Sequence, residues 1–190
     1  MKKLAIIFIC VLSVCMVPGS ASAISYGKDF LETGNPGGAS GLKTFDTQWT
    51  MRQFETVDVD IWLIDVPERM LTSGFYFVFD PAKVSVAAFQ VYDGVNGPAG
   101  PWDPGASLFG PVEGDPGAYF VALANLGCVT PDGGGDIIMA RIRFKCESPG
   151  DAIITVSPIP DFQTVVDCAL PQGIIYDPVI PVEDVTIHQM

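Results

Sequence analysis

From residue 56 to residue 63 the chain reads TVDVDIWL, with Val57, Val59, Ile61 and Leu63 alternating with Asp58, Asp60 and Trp62. A repeat of two is the period of an extended chain, whose successive side chains point to opposite faces. The stretch therefore reads as a strand with one side turned inward. SGFYFVFDP (73–81) repeats the pattern with Phe75, Phe77 and Phe79 on one face. It stops at Asp80-Pro81, where proline withholds a ladder donor. KVSVAAFQVYDG follows at once, with Val84, Val86 and Ala88 on one side and Phe89 and Val91 on the other. Helical spacing is almost missing from the sequence.

Further along, AYFVALANLG (118–127) and DIIMARIRFKC (136–146) flank CVTPDGGG and read as a hairpin with a flexible tip. FDTQWT near residue 45, DAIITVS (151–157), DFQTVVD (161–167) and PVEDVTIHQ (181–189) complete the set of extended segments. Many short strands with no helix to cover a sheet require two sheets packed on each other. The expected fold is all-β, a jelly-roll β-sandwich of about nine strands.

The first 23 residues stand apart. Lys2 and Lys3 precede an apolar run from Leu4 to Val17, followed by Ala21-Ser22-Ala23, the A-x-A form of a cleavage site. The run is too short to cross a hydrocarbon layer of ~30 Å comfortably. The expected organisation is a signal peptide over 1–23, an N-terminal segment over 24–43 and a sandwich domain over 44–190, secreted after cleavage behind Ala23. A competing reading takes Leu12-Ser13-Val14-Cys15 as a lipoprotein box, against which the bulk of Val14 counts. After cleavage, eight lysines and arginines face 22 acids, a net charge of −14. That charge speaks against nucleic acid and anionic membranes as partners.

Three cysteines follow the signal: Cys128, Cys146 and Cys168. Export favours one disulfide with one thiol left over. If the 118–127 and 136–145 strands pair antiparallel, Cys128 and Cys146 lie at opposite ends, roughly 30 Å apart at ~3.3 Å per residue. If the chain then runs back and forward again, Cys168 meets Cys146. Cys146–Cys168 is the favoured bridge and Cys128–Cys168 the alternative.

Catalytic and metal chemistry find little support. Asp58 and Asp60 sit two apart on one strand face, as acids do on any outward face of an acidic protein. His188 is the only histidine and has no nucleophile motif near it. Asp132 and Asp136 bracket a glycine loop with oxygen ligands that suit calcium, at a spacing that matches no calcium loop. No catalytic residue, metal or cofactor is expected.

Two features point to recognition. The strand from Ile137 to Cys146 turns Ile138, Ala140, Ile142 and Phe144 inward and sends Arg141, Arg143 and Lys145 out, a basic row that either pairs with acids on the neighbouring strand or greets an acidic partner. The segment from Gly94 to Gly117 holds seven glycines and five prolines around Trp102, Leu108 and Phe109. Long structureless loops inside a domain are uncommon, and three large apolar side chains favour one folded back over an end or edge. Trp102 there is either a plug over the core or a contact surface, and Trp62 alternates onto the non-core face.

The order of motifs, VDVDIWL, then GFYFVFDPAKVSV, a long loop, and GGGDIIMARIRFK followed by SPGDAIITV, resembles a cohesin domain over residues 44–188. Gly74 to Val86 carries most of the likeness, a glycine, an aromatic and aliphatic strand and an Asp-Pro turn. The resemblance implies a jelly-roll that attaches to another protein's dockerin module, with links to polysaccharide-degrading assemblies. Arg141, Arg143, Trp102 and Trp62 are the candidate partner-binding residues. Direct polysaccharide binding through exposed tryptophans, or a structural role in an extracellular assembly, are the alternatives.

Overall fold

A computed structural model of the chain describes residues 24–32, 37–38, 43–66, 69–157, 159, 165–168 and 183–190. The strands are β1 (Ser25–Phe30), β2 (Gln48–Met51), β3 (Thr56–Ile64), β4 (Met70–Phe79), β5 (Val84–Val91), β6 (Leu108–Val112), β7 (Asp115–Val129), β8 (Ile137–Cys146), β9 (Gly150–Ser157), β10 (Val165–Asp167) and β11 (Glu183–Gln189). They form a four-stranded sheet, β1-β3-β8-β5, and a seven-stranded sheet, β2-β11-β9-β4-β7-β6, in which β10 also pairs with β4. Among the described residues every pairing is antiparallel except β2 with β11. The sandwich is all-β, as the alternation requires, and it takes in Ser25–Phe30 ahead of residue 44.

The inward faces meet as the alternating apolar positions dictate, odd-numbered on β3 and β4 and even-numbered over Ile142 and Phe144 of β8. Val59, Ile61 and Leu63 of β3 and Ile142 and Phe144 of β8 are at most 1% exposed. Phe77 is fully buried, its ring 5.1 Å from Tyr119 in a stack and 5.9 Å from Phe144 edge-on. Each such aromatic contributes ~1.5–3 kcal/mol by leaving water, and edge or offset ring geometry adds to it. The sides of the sandwich close with ring pairs between edge strands, Phe30 on Trp49 and Phe89 on Phe109, both at 5.2 Å.

Two expectations about strand partners fail. The strands flanking CVTPDGGG do not form a hairpin, because β7 lies in the seven-stranded sheet and β8 in the other, so residues 130–136 cross between layers. The hairpin next to that position is β6 with β7, formed inside the Gly/Pro segment. It turns at Glu113-Gly114, where Gly114 takes a left-handed φ of 80°, a conformation glycine adopts without steric cost.

The disulfide is Cys128–Cys168, with Cα atoms 6.2 Å apart, and not Cys146–Cys168. The correction follows from strand direction. β9 pairs with Tyr76–Phe79 of β4 and β10 with Met70–Ser73, both antiparallel to it, so β10 continues the course of β9 where a reversal was expected. Cys168 is thereby carried to Arg69, whose carbonyl accepts from its N–H at 2.9 Å, and the Met70–Val129 pairing brings Cys128 to the same end. Cys146 stays behind at the far end as a buried free thiol beside Gln189.

Candidate functional site

The outward face of the four-stranded sheet holds the basic row, and the neighbouring strand answers it. Register sets Arg143 opposite Asp58 and Arg141 opposite Asp60. Arg143 donates to both Asp58 oxygens at 2.7 Å. Arg141 donates to those of Asp60 at 2.8 and 2.9 Å. Asp60 is fully buried and also accepts from Tyr92 Oη at 2.8 Å and from the N–H of Gly38 at 2.6 Å. These hydrogen bonds to Asp60 hold the Arg141 guanidinium above its usual range, and burial together with the Asp60 charge raises Tyr92. Lys145 is engaged by Glu147 at 3.0 Å. Arg141 and Arg143 thus take the cross-strand alternative, and Arg143, half exposed at 49%, is the member of the row that meets solvent most broadly.

Neither tryptophan offered as a contact surface is accessible. The pairing shifts between Ile61 and Trp62, so that Trp62 stands opposite Ile138 and Met139 is the extra residue. Trp62 does lie on the outward face, yet it is 2% exposed. Lys43 reaches over it, its Nζ 4.7 Å from the ring centroid, and bonds Asp132 at 2.6 Å and Asp136 at 2.5 Å. The two acids considered for calcium therefore face a lysine ammonium. Trp102, also 2% exposed, donates from Nε1 to the carbonyl of Ile138 at 2.7 Å and from its backbone N–H to Tyr92 O at 3.2 Å. The Gly/Pro segment is folded onto the sheet with Trp102 as its plug. Gly100 permits this approach, because a Cβ there would sit 2.3 Å from the carbonyl oxygen of Tyr92.

The side chains weighed for catalysis are engaged by neighbours. Both carboxylates of Asp58 and Asp60 are held by arginines, and His188 lies 2.8 Å from Asp151 and 3.3 Å from Gln48.

The outward face of the seven-stranded sheet is different in kind. Tyr76 and Phe120 stand opposite each other on β4 and β7, both half-buried. Around them Val78 is 44% exposed, Leu108 67% and Ile153 56%. Val78 pairs with Ala118 and Thr155, and Leu108 with Ala122. Among the described residues, the outward positions around Tyr76 and Phe120, from Leu108 and Ala122 across Ala118 and Val78 to Thr155, carry no charged side chain, while Asp151, two residues from Ile153 on β9, and Asp184, opposite Thr155 on β11, border the field. A contiguous neutral, apolar field on a rigid sheet is the surface pattern of an interaction site. Sequence reasoning missed it. The available signal was that β4 is apolar on both faces, Phe75, Phe77 and Phe79 inside with Tyr76 and Val78 outside, where a solvated strand would alternate with charge.

No protein-family model matches the chain, and no curated protein sequence does. Solved structures do match. The CaCohA2 cohesin of Clostridium acetobutylicum, in complex with CaDoc0917, superposes with a TM-score of 0.56 at 13% identity, over 88% of this chain and 98% of that one. The sixth cohesin of scaffoldin B from Acetivibrio cellulolyticus, in complex with a Cel5 dockerin variant, gives 0.55 at 14% identity over 88% and 97%. The solution structure of CaCohA2 gives 0.54 at 15% identity over 75% and 86%. At such identities the likeness speaks for architecture, and on that ground the chain has the fold of the cohesin modules.

Proposed function

We propose that this chain is a secreted, non-catalytic recognition module that attaches to a protein partner of the dockerin class through the outward face of its seven-stranded sheet. The observation that carries the reading is the uncharged field around Tyr76 and Phe120, bordered by the exposed Val78, Leu108 and Ile153. The shared fold with cohesins solved in complex with dockerins supports the class of partner. The export signal over residues 1–23 supports the location. A rigid sheet face costs little ordering on binding, and central aromatics ringed by aliphatic side chains are the usual anchors of such contacts.

The test is calorimetric titration of the chain with a panel of dockerin modules. Leu108→Asp and Ile153→Asp change exposed positions, so folding is retained. Each should weaken binding at least about tenfold, or ~1.4 kcal/mol, while Arg143→Ala leaves it unchanged. Equal binding by the face variants, or loss on Arg143→Ala, would return the site to the four-stranded sheet.

A further inference from the structure

At the opposite pole from the Cys128–Cys168 bridge, the connection from β2 to β3 is the turn Arg52-Gln53-Phe54-Glu55, exposed at every residue. Phe54 is 65% exposed, more than any other phenylalanine or tryptophan described. Its φ is +67°, and among the described residues it is one of three left-handed non-glycine residues and the only aromatic one. A bulky residue in that region is a true outlier, and such strain persists only where the surroundings impose it. Here they do. The N–H of Phe54 donates to Cys146 O at 2.9 Å, that of Glu55 to Arg52 O at 3.0 Å, and that of Arg52 to Glu55 Oε2 at 2.8 Å. Lys145 Nζ stands 5.6 Å from the ring centroid. The ring is therefore held outward, in a fixed place, at a conformational cost that glycine would avoid.

The surroundings decide what such a ring can grip. Burial against a protein would call for a wide apolar border like that around Tyr76. The neighbours of Phe54 in the turn are instead the polar Arg52, Gln53 and Glu55, the Lys145 ammonium stands against its ring, and Gln53 Nε2 is steadied by Glu147 O at 3.2 Å. One flat apolar disc beside planar hydrogen-bonding groups matches the two-sided chemistry of a sugar ring, whose C–H face lies on an aromatic while its hydroxyls seek amides and carboxylates. We propose that this turn is a carbohydrate-binding site, with Phe54 as the platform for one pyranose of a polysaccharide and Arg52, Gln53 and Glu55 as hydroxyl partners. It is separate from the protein-binding face, so the chain can hold a polymer and a protein together.

Cellohexaose, xylohexaose and chitohexaose, titrated into the intact chain by calorimetry and by chemical-shift mapping, are the probes. At least one binds with a dissociation constant near about millimolar or tighter, and Phe54→Gly weakens it about tenfold or more while the melting temperature holds or rises. Phe54→Trp retains binding, and Leu108→Asp leaves it unchanged, which separates this site from the face. Failure of all three sugars to bind overturns the proposal. So does undiminished sugar binding by Phe54→Gly, a melting temperature lowered by that change, or capture of a protein through Phe54.

Discussion

Asp29 offers the sharpest test of the electrostatics described above. It sits on β1 directly opposite Asp60, is 1% exposed, and has one carboxyl oxygen accepting from Thr44 N at 3.3 Å while Oδ2 has no partner among the described residues. Burial is the main force on it. The bond from Thr44 pulls its pKa down, Asp60 and Asp46 push it up, and it ends at about 6, above the usual 3.8. A carboxyl raised on folding is protonated in the folded chain before the unfolded one, so its contribution is fully present below about pH 4 and is lost as pH climbs to about 6. The difference of roughly two units, at ~1.36 kcal/mol each, makes the loss about 3 kcal/mol. Asp29→Asn keeps the shape and cannot ionise. Urea unfolding of both proteins at pH 4 and pH 7.5 isolates the effect, because the groups lowered on folding, Asp93, Asp132 and Glu147, respond alike in both. Their stabilisation runs the other way, fading as pH falls, and cancels in the comparison. The variant should gain on the parent by about 1–3 kcal/mol between the two pH values. An unchanged difference at both pH values would refute the account of Asp29 as a strained, buried acid.

Three further outcomes follow from the packing. Reducing Cys128–Cys168, which spans 40 residues, should lower stability by about 4 kcal/mol on the chain-entropy account, read by urea unfolding with and without reductant. Cys146→Ser should leave that bridge in place, read as one disulfide-linked peptide pair in mass spectrometry. Trp102→Phe should cost ~1–3 kcal/mol through the carbonyl of Ile138 left without its donor, whereas Trp102→Ala should cost ~3–5 kcal/mol as the plug is emptied; equal losses for the two would deny the buried ring its part.

The strands were legible because alternation is local: Val57 to Leu63 and Phe75 to Phe79 announce their inner faces without any partner. Which strands pair was not, since β7 and β8 look like a hairpin until the chain is seen to change sheets at residues 130–136. The disulfide failed for the same reason, its geometry resting on the direction taken after Ser157. Alternation also says which side a residue faces but not what lies on top of it. Trp62 was placed on the outward face and is there, under Lys43. Arg141 and Arg143 were legible as a row, and their fate hung on register with Asp60 and Asp58. The face around Tyr76 escaped notice because a strand apolar on both sides reads at first as merely well buried.

The segregation of charge between the two sheet faces bears on how copies of this chain behave together. At net −12, neighbours in dilute buffer repel over a Debye length of ~10 Å at 0.1 M salt, farther than the reach of the greasy contacts around Leu108. Concentrated salt strips that cushion away and leaves the attraction intact, so colloidal stability belongs to dilute media, and brine should bring the copies face to face.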